Sequence, residues 1–215
     1  VKFWNWIKGI LNKLSSDKSS KSESETSIVI VKPVDPIPEI PTEGDDILIN
    51  LQTNPKSANE LKSVCNIIKI NKGEYVAVEK VTGVPWEVVA AIHYREANLD
   101  FMCCLANGER IIGTGRKTKL VPKNKGPFLT WHESAIDALE DERDKFPKVW
   151  NTAGILDFCE KYNGLGYRNH GISSPYVWAG TNKYTSGLYT EDGKLDHSKV
   201  DQRLGCAAII KGLRS

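Results

Sequence analysis

The sequence has no run of about 18 apolar residues, so it holds no segment able to cross a bilayer as a helix. It lacks a CxxC pair: Cys65, Cys103, Cys104, Cys159 and Cys206 are odd in number and irregular in spacing. That excludes a disulfide framework and fits thiols kept reduced in the cytosol where the chain is made. No HExxH is present, and His93, His132, His170 and His197 stand isolated, so no metal site and no cofactor is expected. "GERIIGTGRKTK" lacks the GxxxxGK[ST] order of a phosphate loop and reads as a flexible loop over a cleft. An excess of one charge is missing too: 29 basic against 27 acidic residues leave +2, which is too mild for a nucleic-acid partner.

What is present begins with "VKFWNWIKGILNKL". At helical spacing Phe3, Trp4, Ile7, Ile10, Leu11 and Leu14 share one arc, with lysines and asparagines opposite. No small-residue cleavage site follows, so the segment is a poor secretory signal. Residues 1–14 therefore form an amphipathic helix that either lies on a membrane surface or packs on protein. Residues 15–53 are Ser, Lys and Glu at first and then carry Pro33, Pro36, Pro38 and Pro41, the composition of a flexible and then a stiffer linker. Residues 54–215 form the globular domain.

In that domain helix signals dominate. Pro55 opens one helix, with Leu61, Val64, Ile68 and Ile67 on its buried side. Another covers about Glu74 to Val81 and stops at Gly83, and Pro85 opens a third. "TWHE" from Thr130 is a capping box. Thr152 can cap "AGILDFCEKY", and Asp196 can cap "HSKVDQRLGCAAIIKGL", whose Leu204, Ala208 and Leu213 face inward. The fold is mostly α, with Cys104 to Phe128 and Gly164 to Gly193 as long loops or a small hairpin. Loops of that length are usually functional.

The helix "VPWEVVAAIHYREANLDF" places Val89, Ile92, Glu96 and Leu99 on one stripe, so a carboxylate takes a buried position. Glu96 also lies near the negative end of the helix dipole. Burial and dipole both raise its pKa and keep a proton on it near neutral pH, as a general acid for glycosidic cleavage requires. Against this stands the plainer reading, that Glu96 is paired with a structural partner. Downstream, Tyr162, Tyr167, Tyr176, Trp178 and Tyr184 fall within 23 residues, interleaved with Asn163, Thr181 and several glycines. Aromatic faces with amides and hydroxyls between them suit the flat C–H face and hydroxyl rim of a sugar; the same stretch reads alternatively as an aromatic satellite core.

"IHYREANLDF", followed some 65 residues later by "KYNGLGY", resembles the lysozyme superfamily, in particular goose-type lysozymes and lytic transglycosylases. With "GVPW" before the helix and "SPYVWAGTNKY" after it, the order is similar to that of phage-encoded lysozyme-like endolysins. The resemblance covers about residues 57–213. It implies a lysozyme-like helical domain that cleaves the β-1,4 bond between the aminosugars of peptidoglycan, made in a bacterial cytoplasm and acting at the cell wall. It matches Glu96 to the catalytic acid and Tyr162 to the tyrosine of the later motif, with Asn163 beside it; the aromatic stretch itself offers Asn163, Tyr167, Tyr176, Trp178, Thr181 and Tyr184 as sugar contacts. Ala97 stands where the family commonly has Ser, and no "GLMQ"-like segment exists, since the sole methionine is Met102 in "FMCCL". The missing segment bears on the lytic transglycosylase alternative; a catalytically silent glycan-binding or virion module that kept the groove is the other alternative. A second carboxylate, where the reaction needs one, would be Asp100, Glu109 or Glu133.

Overall fold

A computed structural model describes residues 45–215 other than Asp192. The amphipathic segment 1–14 and most of the linker fall outside the described residues. The domain begins earlier than composition suggests. Helix α1 (Asp45–Ile49) and the segment after it bury Leu48 and Leu51, and Thr53 forms a β-bridge to Thr181. The Lys211 ammonium also donates to the Leu51 carbonyl. Residues 45–53 thus belong to the folded unit: two leucines with apolar surface to cover outweigh the Pro-rich context before them.

A 3-10 turn at Pro55–Ser57 leads into α2 (Ala58–Ile70), followed by α3 (Lys72–Thr82), α4 (Trp86–Ala97), α5 (Trp131–Asp141) and α6 (Thr152–Asn163). Two short helices follow, α7 (Gly166–Asn169) and α8 (Pro175–Trp178). A hairpin of β1 (Leu188–Glu191) and β2 (Lys194–Asp196) pairs Tyr189 with Leu195, and α9 (Cys206–Arg214) ends the chain. The fold is mostly helical.

Helix α4 is the axis of the core. Every residue from Val88 to Arg95 is buried, because α3 and α9 pack against it and α6 approaches as well. A helix covered all round needs apolar or small side chains on every face, and Val88, Val89, Ala90, Ala91 and Ile92 supply them. In α2, Val64 and Ile68 are buried while Ile67 is 45% exposed, so the apolar face is narrower than the pattern suggests. Helix α3 ends where Gly83 takes φ +76°, a left-handed cap that its missing Cβ permits.

Two caps differ from the sequence reading. Asn151, not Thr152, caps α6: its Oδ1 accepts from Gly154 N–H at 2.9 Å, and Thr152 becomes the first helical residue. Asn at that position satisfies the orphan donor, which frees the Thr152 hydroxyl to accept from Arg214. Asp196 caps no helix either. It ends β2, and its carboxylate accepts from the Ser198 N–H and hydroxyl, so the last helix starts ten residues later with Gly205 as its cap. Leu204 and Ala208 are buried as their spacing implies, and Leu213 is partly buried. The long segment 101–130 has no regular element but builds its own small core from Cys104, Ile111, Ile112 and Phe128.

Candidate functional site

Glu96 is the second-to-last residue of α4. Directly after it the backbone reverses through Asn98 (φ 49°) and Leu99 (φ 63°), both left-handed. The Asn98 and Leu99 amides return to the Tyr94 and His93 carbonyls, closing the helix end. The Glu96 carbonyl faces Gly108 of the following loop, where a Cβ would collide with it. Only glycine fits there, since φ is +72° as well.

The Glu96 carboxyl is half-buried, and Tyr176 of α8 donates its phenolic O–H to Oε1 at 2.8 Å. Burial raises the pKa of Glu96. The Tyr176 hydrogen bond and the nearby positive charges of Arg95 and Arg203 oppose that shift without cancelling it. Because Oε1 is occupied as an acceptor, an acidic proton belongs on Oε2.

Behind the carboxyl lies a cluster that no local pattern announces. Arg95 and Asp201 form an ion pair at 2.7 Å with side chains only 3% and 4% exposed. Arg95 also donates to the Leu204 carbonyl, and its guanidinium lies 5.0 Å from the centre of the Tyr176 ring. Arg203 grips Asp201 through Nε and Nη2 and donates from Nη1 to the Arg95 carbonyl. Burial pulls the Asp201 pKa upward, but the two guanidinium groups win and hold it below the usual carboxylate range. Together these residues fix Tyr176, and Tyr176 fixes Glu96.

A cavity of about 310 Å³ opens beside this cluster, lined by Arg95, Asp201 and Arg203 on one side and by Asn163, Tyr167, Tyr176 and Tyr189 on another, with Pro175 and Leu188 completing it. A larger concavity of about 350 Å³ lies between α2 and α9, but its lining of lysines, apolar residues and the neutral polar Thr53, Asn66 and Ser215 includes no acidic side chain or histidine.

The residues singled out from sequence fall into two groups. Asn163, Tyr167 and Tyr176 line the cavity beside the Arg95–Asp201 pair, which Glu96 itself does not line. Tyr176, however, is 3% exposed and is the partner of Glu96, not a sugar platform. Tyr167 is buried, and its oxygen accepts from the Tyr189 N–H, tying α7 to the hairpin. Tyr162 lies close enough for the charge of Glu96 to act on it, yet its phenol donates to the Leu105 carbonyl at 3.2 Å. Trp178, Thr181 and Tyr184 do not line the cavity. Trp178 packs on the core with Lys183 over its ring, Thr181 donates to the Trp178 carbonyl, and Tyr184 donates to the Gly187 carbonyl while accepting from Asp201 N–H. These three hold the C-terminal loops to the core, Thr181 and Tyr184 as hydroxyls that have found partners.

The carboxylates weighed as a second acid are each engaged elsewhere. Asp100 pairs with Arg110 and accepts from Met102 N–H; Glu109 accepts from the Lys119 and Leu120 amides; Glu133 accepts from Leu129 N–H at the start of α5. Among the described residues no group of three or more His, Cys, Asp or Glu is placed to hold a metal ion. His93 is buried against Tyr75 O–H, and burial lowers its pKa to about 4, so it is neutral at physiological pH. Cys103 and Cys104 are buried and free, and burial raises both thiol pKa values. In comparisons with known proteins, no family model, no curated protein and no solved structure matches this chain.

Proposed function

We propose that the chain is a lysozyme-like glycosidase that cleaves the β-1,4 bond between aminosugars of peptidoglycan, with Glu96 as general acid. The observation that carries this reading is the state of Glu96: a half-buried carboxyl at a helix C-terminus, held through Oε1 by Tyr176 and shifted toward its protonated form. Such a group delivers a proton from Oε2 to the departing glycosidic oxygen and becomes a carboxylate that the Tyr176 hydroxyl and Arg203 then stabilise. The cavity lined by Tyr176, the hydrogen-bond partner of Glu96, supplies phenol, amide and guanidinium groups along a concave wall, which suits a hydroxyl-rich substrate.

A second reading draws on the engaged carboxylates. Hydrolysis by the usual scheme needs a second carboxyl near the first, whereas attack by the substrate's own hydroxyl needs only one. With Asp100, Glu109 and Glu133 committed to other partners and Asp201 locked between two arginines, the single-acid route of a lytic transglycosylase is favoured among the alternatives. Incubating the protein with purified peptidoglycan and weighing the released fragments tests both. Reducing-end muropeptides support hydrolysis, and products lighter by one water support the anhydro route. No release of either by the wild-type chain, or equal release by Glu96→Gln, overturns the proposal.

A further inference from the structure

From Arg110 to His132 the chain carries six cations, Arg110, Arg116, Lys117, Lys119, Lys123 and Lys125, and not one Asp or Glu. Two are neutralised, Arg110 by Asp100 and Lys125 by Asp137 and Asp141. Lys117, Lys119 and Lys123 are exposed and make no ion pair among the described residues. Between them stand Leu120 and Val121, 58% and 78% exposed. Two large apolar side chains facing water between free lysines stabilise nothing inside the domain.

The tip is nevertheless built to hold its shape. The Glu109 carboxylate accepts from Lys119 N–H at 2.8 Å and Leu120 N–H at 2.9 Å, so the acid that precedes the loop is turned inward. Asn107 donates to the Leu120 and Val121 carbonyls. Thr118, itself buried, donates its hydroxyl to the Pro122 carbonyl and accepts from Lys125 N–H, while the Thr118 and Lys125 backbones pair at 3.0 Å. Every one of these bonds uses backbone or inward groups and leaves the Leu120, Val121, Lys119 and Lys123 side chains outward. The small core of Ile111, Ile112 and Phe128 supports the turn from below. Preorganisation of this kind removes the ordering cost of binding.

The geometry points to Lys117–Lys123 as a docking tip for an anionic phospholipid surface, with Leu120 and Val121 entering the acyl boundary and Lys117, Lys119 and Lys123 at the headgroups. A soluble polyanion would use the lysines but gains nothing from two exposed aliphatic side chains, whereas a bilayer interface takes both. The inference stands independently of any chemistry at Glu96, and none of these residues belongs to the catalytic arrangement proposed above.

Amide hydrogen exchange on the full chain gives a local readout that contacts elsewhere on the protein do not mimic. With vesicles of mixed phosphatidylglycerol and phosphatidylcholine, amides of residues 116–125 should exchange more slowly, and with phosphatidylcholine alone they should not change. Lys119→Glu with Lys123→Glu should weaken loop protection by at least about twenty-fivefold in vesicle concentration, taking about fivefold per lysine charge lost. Leu120→Ser with Val121→Ser should abolish it while thermal unfolding stays at the wild-type temperature, since neither side chain touches the core. Unchanged exchange in residues 116–125 on anionic vesicles overturns the inference. So does protection that soluble polyphosphate produces equally well and that the Leu120→Ser, Val121→Ser variant retains.

Discussion

Tyr176 and Glu96 lie 80 residues apart in the chain and meet at 2.8 Å, phenol to carboxyl, at the junction of α8 with the last turn of α4. The contact favours the ionised carboxyl and therefore opposes burial, which favours the protonated one. The pKa of Glu96 is raised because burial is the larger effect.

Replacing Tyr176 by Phe removes the opposing effect and preserves the ring. The pKa of Glu96 then rises further, so the alkaline limb of the activity profile moves to higher pH. Turnover falls as well, by about tenfold to a hundredfold, because Oε1 loses its anchor. A pH series of peptidoglycan release checks both, and an unmoved limb shows that Glu96 is not the titrating group.

Glu96→Gln abolishes release, by at least about a hundredfold, and its effect on stability depends on pH. A carboxyl whose folded pKa is raised costs the fold nothing while both states are protonated, and costs progressively more as pH climbs from the ordinary value of 4.5 through the folded one. The variant should match the wild type in strongly acidic solution and melt at higher temperature near neutrality. Thermal melts across that range test it, and a constant difference at all pH values contradicts it.

Asp201→Asn leaves Arg95 buried and uncompensated, a loss of about 3–5 kcal/mol in urea unfolding. In the wild type the folded pKa of Asp201 is depressed, so its contribution is complete above the ordinary 3.8 and lost as pH falls below it. The gap between variant and wild type should therefore close in acid.

Gly108→Ala puts a Cβ against the Glu96 carbonyl at a φ of +72°. Strain of about 1–3 kcal/mol follows, and because it acts on the backbone of Glu96, activity should fall more than stability does. Parallel unfolding and release measurements separate the two.

The off-pattern carboxylate of Glu96 was legible because helical spacing is a local property, and so was most of the order of helices. Arg95, Asp201 and Arg203 were not, since an ion pair spanning 106 residues leaves no trace in either stretch of sequence. The aromatic run from Tyr162 to Tyr184 shows the same limit from the other side. Its composition suggested a sugar platform, but what each phenol does was decided by the partner it met: Glu96 for Tyr176, the Leu105 carbonyl for Tyr162, Gly187 and Asp201 for Tyr184. At α6 two adjacent residues could each cap, and only the backbone geometry chose Asn151 over Thr152.

The clamp around Glu96 also sets an order in time. Tyr176, Asp201 and Arg203 are all synthesised after it, the last by 107 residues (203 − 96), which takes roughly 5 to 20 seconds at about 5–20 residues per second. Until they emerge and dock, Glu96 lacks the phenol that holds its Oε1 and the arginine that holds the carbonyl of the residue before it. A chain not yet extended past Arg203 accordingly lacks the arrangement on which the proposed chemistry depends. A released chain truncated after Val200 should set free no peptidoglycan fragments, while the chain that includes Asp201 and Arg203 should, because only the latter can close the clamp on Glu96.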